Sequence, residues 1–308
     1  MNFDVVIIGA GPAGISASLY VKRAGYKVLV LYHGESQLEK AHKIENFYGF
    51  VDGITGSDLY KNGIQQAKNL GIEVKDQEVT GIEVLSYGEN PLYSVKSTTS
   101  EYTAPVVIIA AGNKKLRPPV KNLVEFEGRG VSYCAVCDGF FYRKKKTCVI
   151  GNKNFALEEA RYLSNLAEKV TILTNGLSSG EIDSLLDGSN IKLDTRKILE
   201  IEGNEKVTAV RFDDGTSLSV DGIFVALGEA GGADFAKKIG LLLNGDSITV
   251  NEKMCTSAKG IFSCGNVNGG LLQVSKAVYE GAVAGLSAVD YLKNLENPAQ
   301  STAQSTAE

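Results

Sequence analysis

An α/β fold is expected from three features of this 308-residue sequence. Short apolar runs alternate with helical stretches, a strand–glycine–helix unit opens the chain, and the same unit starts again near its middle. Val5–Ile8 is a strand-sized run leading into Gly9-Ala10-Gly11-Pro12-Ala13-Gly14, a helical stretch to about residue 24 and a second strand at 28–31. The repeat consists of a strand at 147–150, Gly151, a helix from about 155 to 166 and a strand at Lys169–Leu173. Each unit continues into alternating, turn-punctuated segments (79–103, then 198–220) of the kind that form small antiparallel meanders. Each then ends in a buried-type strand closed by glycine, at 106–112 and 223–228. Two similar three-layer α/β domains in tandem follow.

No third strand–glycine–helix unit begins after residue 230. That stretch offers a strand at 248–250, the segment Gly260-Ile261-Phe262-Ser263-Cys264-Gly265-Asn266 and a helix from about 273 to 295. Too small to stand alone, it is expected to return and complete the first domain, so that the second is inserted in the first. The expected division is 1–113 and 245–295 for the first domain and 114–244 for the second. Hinges fall near 114–117 and 243–246, and 296–308 forms a disordered tail.

The N-terminal loop has a direct chemical reading. In Gly9-x-Gly11-x-x-Gly14 the first glycine makes a tight turn and the second lets a pyrophosphate approach the backbone. The third lets helix and strand pack closely. The helix N-terminus then favours the phosphates, which makes both domains Rossmann-like dinucleotide-binding units. An acid for the ribose is expected about 20 residues on; the second strand ends in Leu31-Tyr32-His33 and the nearest acid is Glu35. His33 has no partner identifiable in the sequence and reads as a surface or stacking residue.

Cys134-Ala135-Val136-Cys137 is followed by Asp138-Gly139-Phe140-Phe141-Tyr142. Two intervening residues let the thiols close a small disulfide loop at a turn or helix start, where a lowered pKa supplies a thiolate. Asp138 stands ready to carry protons as the pair is reduced. Zinc would need a second such pair or two histidines, whereas Cys148, Cys255 and Cys264 are scattered and the only histidines are His33 and His42. Redox chemistry is therefore favoured over metal binding. Cys148 and Cys264 lie in apolar, strand-like contexts and read as inert core residues; Cys255 is assigned no role.

Together, the glycine loop, the Cys-Ala-Val-Cys-Asp-Gly-Phe-Phe-Tyr segment and the duplicated fold resemble the low-molecular-weight thioredoxin reductases. Glu45-Asn46-Phe47-Tyr48-Gly49-Phe50 and the stretch 260–267 followed by Gln273-Val274 carry the same resemblance. It implies a flavin- and nicotinamide-linked disulfide reductase fold, a homodimer and one FAD. The FAD would be held by Gly9, Gly11, Pro12, Ala13, Gly14, Glu35, Gln37, Asn46, Val79, Ala111, Gly112, Gly265, Asn266, Gln273 and Val274. Asn266 stands where the family usually has an Asp on the ribityl chain. By the same resemblance, Cys134 attacks the disulfide of thioredoxin while Cys137 faces the flavin.

The second unit departs from the NADPH-using members, which carry Gly-x-Gly-x-x-Ala and then His-Arg-Arg-x-x-x-Arg. Here the loop is Gly151-Asn152-Lys153-Asn154-Phe155-Ala156, and Thr174-Asn175-Gly176 follows the second strand. Losing two charge-assisted contacts to the 2′-phosphate removes roughly 3–6 kcal/mol, about two to four decades of affinity. No Asp or Glu at that strand end serves NADH either. A flavin and a cysteine pair without a hydride site resemble the ferredoxin-dependent flavin thioredoxin reductases. Candidates for docking an acidic ferredoxin are Arg143, Lys144, Lys145 and Lys146, with Lys114, Lys115 and Arg117 at the hinge; a plain solvated basic turn is the competing reading. Two alternatives stay open: an NADPH-dependent thioredoxin reductase with an atypical nucleotide site, and a non-catalytic flavin redox sensor.

Composition narrows the setting. Lys and Arg total 32 against 36 Asp and Glu, a formal charge of −4, too balanced for a nucleic-acid or membrane-surface protein. No apolar run approaches the roughly 18 residues of a membrane span, and the first strand begins without a basic, apolar leader. A cytoplasmic protein is expected, and five cysteines in such a chain do not make a disulfide framework.

Overall fold

The computed structural model describes residues 2–34, 36–112, 117–133, 135–179, 182, 186, 190–228 and 231–297. Among them the α-helices are α1 (Pro12–Arg23), α2 (Gly56–Asn69), α3 (Ala135–Asp138), α4 (Asn154–Ser164), α5 (Gly232–Lys238) and α6 (Val274–Glu296). The chain divides into two compact units, 1–113 with 231–308 and the inserted 114–230.

In the first unit five strands form a parallel sheet in the order Ile261–Ser263, Val106–Ile109, Val5–Ile8, Val28–Tyr32, Glu73–Asp76. Val5–Ile8 and Val106–Ile109 are buried along their whole length, as strands covered on both faces must be. The segment 79–103 forms the antiparallel meander Val79–Ser86, Leu92–Ser97, Glu101–Ala104.

The C-terminal segment returns to this unit through a seam of small residues. A Cβ on Gly281 would lie 2.2 Å from the Ala13 carbonyl oxygen, and one on Gly285 would lie 2.6 Å from that of Ala17. Only glycine lets α6 approach the α1 backbone so closely. The Ser16 hydroxyl adds a 2.8 Å hydrogen bond to the Val278 carbonyl.

The return comes earlier than the 243–246 hinge expected from sequence, because the chain re-enters the first unit at Gly231. A Cβ on Gly232 would come within 2.4 Å of Val267 Cγ2, which ties α5 to the C-terminal segment. Glu296, expected to open the tail, is instead the last residue of α6, and residues 298–308 lie outside the described residues.

The second unit repeats the plan with a five-stranded parallel sheet in the order Ile191–Asp194, Lys169–Leu173, Lys146–Ile150, Gly222–Val225, Val131–Ser132. Its antiparallel meander is Ile198–Gly203, Val207–Phe212, Ser217–Ser219. Helix α4 seats Phe155, Ala156, Leu157, Ala160 and Leu163 in the core beside Val149, Val170 and Ile172. No described helix is long and apolar enough to cross a membrane.

Candidate redox and dinucleotide site

Each residue of the N-terminal glycine loop has its own backbone demand. Gly9 is left-handed at φ +112°, and a Cβ there would sit 2.3 Å from the Ala110 carbonyl oxygen. A Cβ on Gly14 would sit 1.8 Å from the Gly9 carbonyl oxygen, so helix and turn touch backbone to backbone. Gly11 differs from both, since a Cβ there would meet nothing within 4 Å. Gly11 is also the N-cap of α1, with Pro12 as the first helical residue, no side-chain cap and no acid in the first turn. The amides of that turn are left for an outside acceptor, and the room above Gly11 suits a pyrophosphate.

The fold brings other candidate residues to the same unit. A Cβ on left-handed Gly265 would lie 2.8 Å from that of Ala13, placing the C-terminal loop against the glycine loop. Asn46 Nδ2 donates to Gln273 Oε1 at 3.1 Å, joining positions far apart in sequence. Asn266 opens a short 3-10 turn after Gly265, and Val274 begins α6 with Gln273 as its N-cap. Ala111 and left-handed Gly112 follow Val106–Ile109, Val79 is buried at the head of the meander, and Gln37 opens a 3-10 turn capped by Ser36. The ribose candidate Glu35 lies outside the described residues.

At the end of Val28–Tyr32 a cavity of about 420 Å³ is lined by Tyr32, Gly34, Glu39, Tyr60, Lys61 and Gln65, among others. His33 has a partner after all: its Nδ1 lies 2.9 Å from Asp76 Oδ1, on the neighbouring strand of the sheet. Sequence could not pair the two because the strand order was unknown.

Lys276 and Glu280, which the sequence reading passed over, hold the loop at Gly265. Glu280 Oε2 accepts from the Gly265 amide at 2.8 Å, and Lys276 Nζ donates to the Gly265 and Gly269 carbonyls at 3.0 and 2.6 Å. The two side chains pair at 3.1 Å, nearly buried. Their i, i+4 spacing was a visible signal, but the loop it holds was not.

In the second unit the described part of the cysteine segment is a short helix. Cys137 belongs to α3, which passes into a 3-10 turn at Gly139–Tyr142; Cys134 is outside the described residues. Ser132 Oγ donates to Asp138 Oδ2 at 2.6 Å. The Ala135 amide donates to Glu159 Oε2 at 2.7 Å. Glu159 was also missed, although its spacing from Phe155 and Leu163 puts it on the apolar face of α4. Burial, with Asp138 next in effect, pushes the Tyr142 hydroxyl up, so it stays protonated.

Cys148 and Cys264 are fully buried, and desolvation pushes both thiols up, which keeps them uncharged and unreactive. Cys255 is half-buried and its thiol is raised as well, again chiefly by burial. No cluster of metal-ligating side chains is found among the described residues.

The second glycine loop keeps the shape of the first with different residues. A Cβ on Gly151 would sit 2.1 Å from the Ala226 carbonyl oxygen, the counterpart of the Gly9 contact. Lys153 takes the N-cap place of Gly11, and both have extended ψ values of −179°. Beyond Lys169–Leu173 the chain turns back on itself. Thr174 is buried, Asn175 is left-handed with its Oδ1 accepting from the Ile198 amide at 2.7 Å, and Asn152 Nδ2 donates to the Ser178 carbonyl at 3.0 Å.

Of the basic candidates, Arg143, Lys144, Lys145 and Lys146 are exposed, with Arg143 over the Phe140 ring at 5.6 Å and Lys145 over Tyr142 at 5.6 Å. Arg117 is engaged instead, its Nε 3.1 Å from Glu127 Oε1. Lys114 and Lys115 lie outside the described residues.

Two parallel sheets, a bare glycine loop in one unit and the Cys-Ala-Val-Cys sequence in the other are what a dinucleotide-linked disulfide oxidoreductase requires. Residues 3–281 match the pyridine nucleotide-disulphide oxidoreductases, and the chain belongs to that family. Within it the chain is similar to the thioredoxin reductase of Bacillus subtilis, 34% identical over 96% of each chain. Among solved structures it is similar to the atypical thioredoxin reductase TRi from Desulfovibrio vulgaris Hildenborough. There the TM-score is 0.87 at 36% identity, covering 95% of this chain and 98% of that one. A ferredoxin-flavin thioredoxin reductase from Clostridium acetobutylicum follows with TM-score 0.68 at 32% identity, covering 95% and 99%.

Proposed function

We propose that this chain is an FAD-dependent thioredoxin reductase working through a Cys134–Cys137 disulfide, with reduced ferredoxin as its electron donor. The observation that carries the donor assignment is the closed strand end of the second unit. Asn175 and Asn152 spend their side chains on the backbone at Ile198 and Ser178, where NADPH-using relatives would present cations. Its likeness to the thioredoxin reductase of Bacillus subtilis supports the thioredoxin half, and its likeness to the ferredoxin-flavin enzyme of Clostridium acetobutylicum supports the donor.

On this reading each residue has a role. Gly9 and Gly14 shape the turn, and the amides after Gly11, Pro12 and Ala13 would receive the pyrophosphate. Gly265, Asn266, Gln273 and Val274 would hold the ring and ribityl end of the flavin, and Glu35, Gln37, Asn46, Val79, Ala111 and Gly112 would complete its site. Bound FAD would accept electrons singly from an iron–sulfur protein and deliver them as a pair. Cys134 as a thiolate attacks the thioredoxin disulfide, and Cys137 resolves the mixed disulfide. Two electrons leave the dithiol, thioredoxin gains two thiols, and Asp138 handles a proton at the cysteine pair. Arg143, Lys144, Lys145 and Lys146 supply the cationic dock. The working enzyme is a cytoplasmic homodimer.

A second reading, NADPH as donor through an atypical site, is favoured by one observation. The α4 N-terminus keeps the loop shape of α1 and has no side-chain cap. Anaerobic reduction of the purified protein by NADPH, NADH and reduced ferredoxin, followed by flavin absorbance, decides between them. Bleaching by ferredoxin alone is expected, and rapid bleaching by micromolar NADPH defeats the ferredoxin reading. A protein that bleaches but never turns over thioredoxin disulfide would be the sensor instead.

A further inference from the structure

The turn that follows Ile261–Ser263 closes around a single ammonium. Gly265 and Gly269, at its two ends, have φ/ψ of +86°/−153° and +73°/−151°. Such backbone is essentially confined to glycine, and it persists where the surroundings enforce it. Both glycine carbonyls accept from Lys276 Nζ, at 3.0 and 2.6 Å, and Glu280 Oε2 lies 3.1 Å from the same nitrogen. An ammonium has three N–H donors, so each finds an oxygen here. Glu280 Oε2 also takes the Gly265 amide at 2.8 Å, and this glycine is gripped on both sides.

Stability alone does not call for this pair. Lys276 is the third residue of α6, where the helix dipole disfavours a cation and the first turn holds no acid. Replacing a buried ion pair with neutral side chains of similar size is often without cost. What neutral side chains cannot do is draw two loop carbonyls to one point. The turn they close has an open member. Asn268 is spent on Ser263, its Oδ1 accepting from the hydroxyl at 2.6 Å and its Nδ2 donating to the carbonyl at 2.9 Å. Half-buried Asn266, by contrast, has no side-chain partner among the described residues.

We propose that Lys276 is a positioning residue for the flavin, on the reading of this turn as part of the FAD site. Its ammonium, tethered by Glu280, holds the 265–269 backbone in the form that offers Asn266 to the cofactor. Lys276 makes and breaks no bond and carries no electron. It fixes in advance a segment that FAD would otherwise have to order on binding, which improves affinity.

The test compares full-length wild type, Glu280→Gln and the neutral double variant Lys276→Met with Glu280→Gln. The double variant leaves no buried charge alone, so its apoprotein should keep the wild-type urea midpoint. It should bind FAD about tenfold more weakly, read from fluorescence as FAD is added to apoprotein. The visible circular dichroism of its bound flavin should also change, because the ring's surroundings shift. Glu280→Gln leaves Lys276 on both carbonyls and should lose only about threefold in affinity.

Wild-type affinity and dichroism in the double variant would overturn the proposal. An affinity loss accompanied by an equal loss of apoprotein stability would do the same, and so would a Glu280→Gln loss as large as that of the double variant. If the double variant does not fold, Lys276→Ala decides with n-propylammonium, which supplies the end of the side chain that alanine lacks. Recovery of yellow protein with n-propylammonium but not with tetramethylammonium supports the role of the ammonium, and no recovery overturns it. A wild-type protein that carries no flavin, and whose apoprotein takes none up, would instead defeat the underlying reading of the FAD site.

Discussion

The two glycine loops have nearly the same backbone and opposite surroundings. Gly9 and Gly151 both press against a carbonyl of a neighbouring strand end, and Gly11 and Lys153 both cap a helix with extended backbone. At Gly11, however, a side chain would enter open space, whereas Lys153 already carries one. After the next strand, the first unit opens onto a cavity and the second closes on Asn175 and Asn152. Packing needs and ligand needs are thus separable within one motif. The glycine that touches protein is kept in both loops, and the one that touches nothing is kept only where a ligand is proposed.

The sharpest way to break this comparison is to substitute the two kinds of glycine in the first loop. Gly11→Leu should fold normally and lose its flavin, giving colourless protein with an unchanged urea midpoint when both apoproteins are compared. Gly14→Ala should instead damage the fold, since its Cβ would meet a backbone carbonyl. A loss of about 2 kcal/mol or more in chemical denaturation is expected. Equal stability losses for the two variants would sink the distinction.

Next in size is the chemistry of the second unit. Cys134→Ser should abolish thioredoxin turnover while leaving Cys137 to give long-wavelength charge-transfer absorbance with oxidised flavin. Retention of even a tenth of wild-type turnover would contradict the assignment.

A moderate effect is expected at the exposed basic run. Replacing Arg143, Lys145 and Lys146 with glutamine should slow reduction by ferredoxin several-fold at low salt and flatten its dependence on ionic strength. Stopped-flow traces at two salt concentrations would show it; an unchanged salt slope would leave these residues as a solvated turn.

The smallest effects belong to the buried thiols outside the pair. Cys148 and Cys264 have raised pKa values and stay protonated through neutral and mildly alkaline pH, so native protein should resist alkylation at both positions. Mass spectrometry after brief iodoacetamide treatment at pH 8 checks this. Cys148→Ser and Cys264→Ser should keep full turnover and lose about 1–3 kcal/mol of stability.

Much of this architecture was legible because it depends on local rules. The strand Lys169–Leu173 and the start of α6 follow from apolar runs and glycines that act within a few residues. The end of the insertion was misplaced for a tertiary reason: the contact of Gly232 with Val267 that pulls α5 into the first unit has no local signature. The site divides in the same way. Gly9, Gly11 and Gly14 announce themselves by spacing, while Asn46 with Gln273, and His33 with Asp76, meet only through sheet order and loop packing. Glu159 is the intermediate case. Its helical position was readable, but of two adjacent glutamates the one facing inward is recognised only when Ala135 is seen above it.

The seam of α6 on α1 also imposes an order on synthesis. The first unit lacks its edge strand Ile261–Ser263 and its covering helix until the last part of the chain has left the ribosome. The second unit has all its sheet strands once residue 225 is made. Through that interval the apolar face of α1, with Ala13, Ala17 and Val21, waits for a partner that the ribosome has yet to translate. The cysteine-bearing unit is thus the first to be complete in every newly made chain, and the dinucleotide loop gains its final wall last.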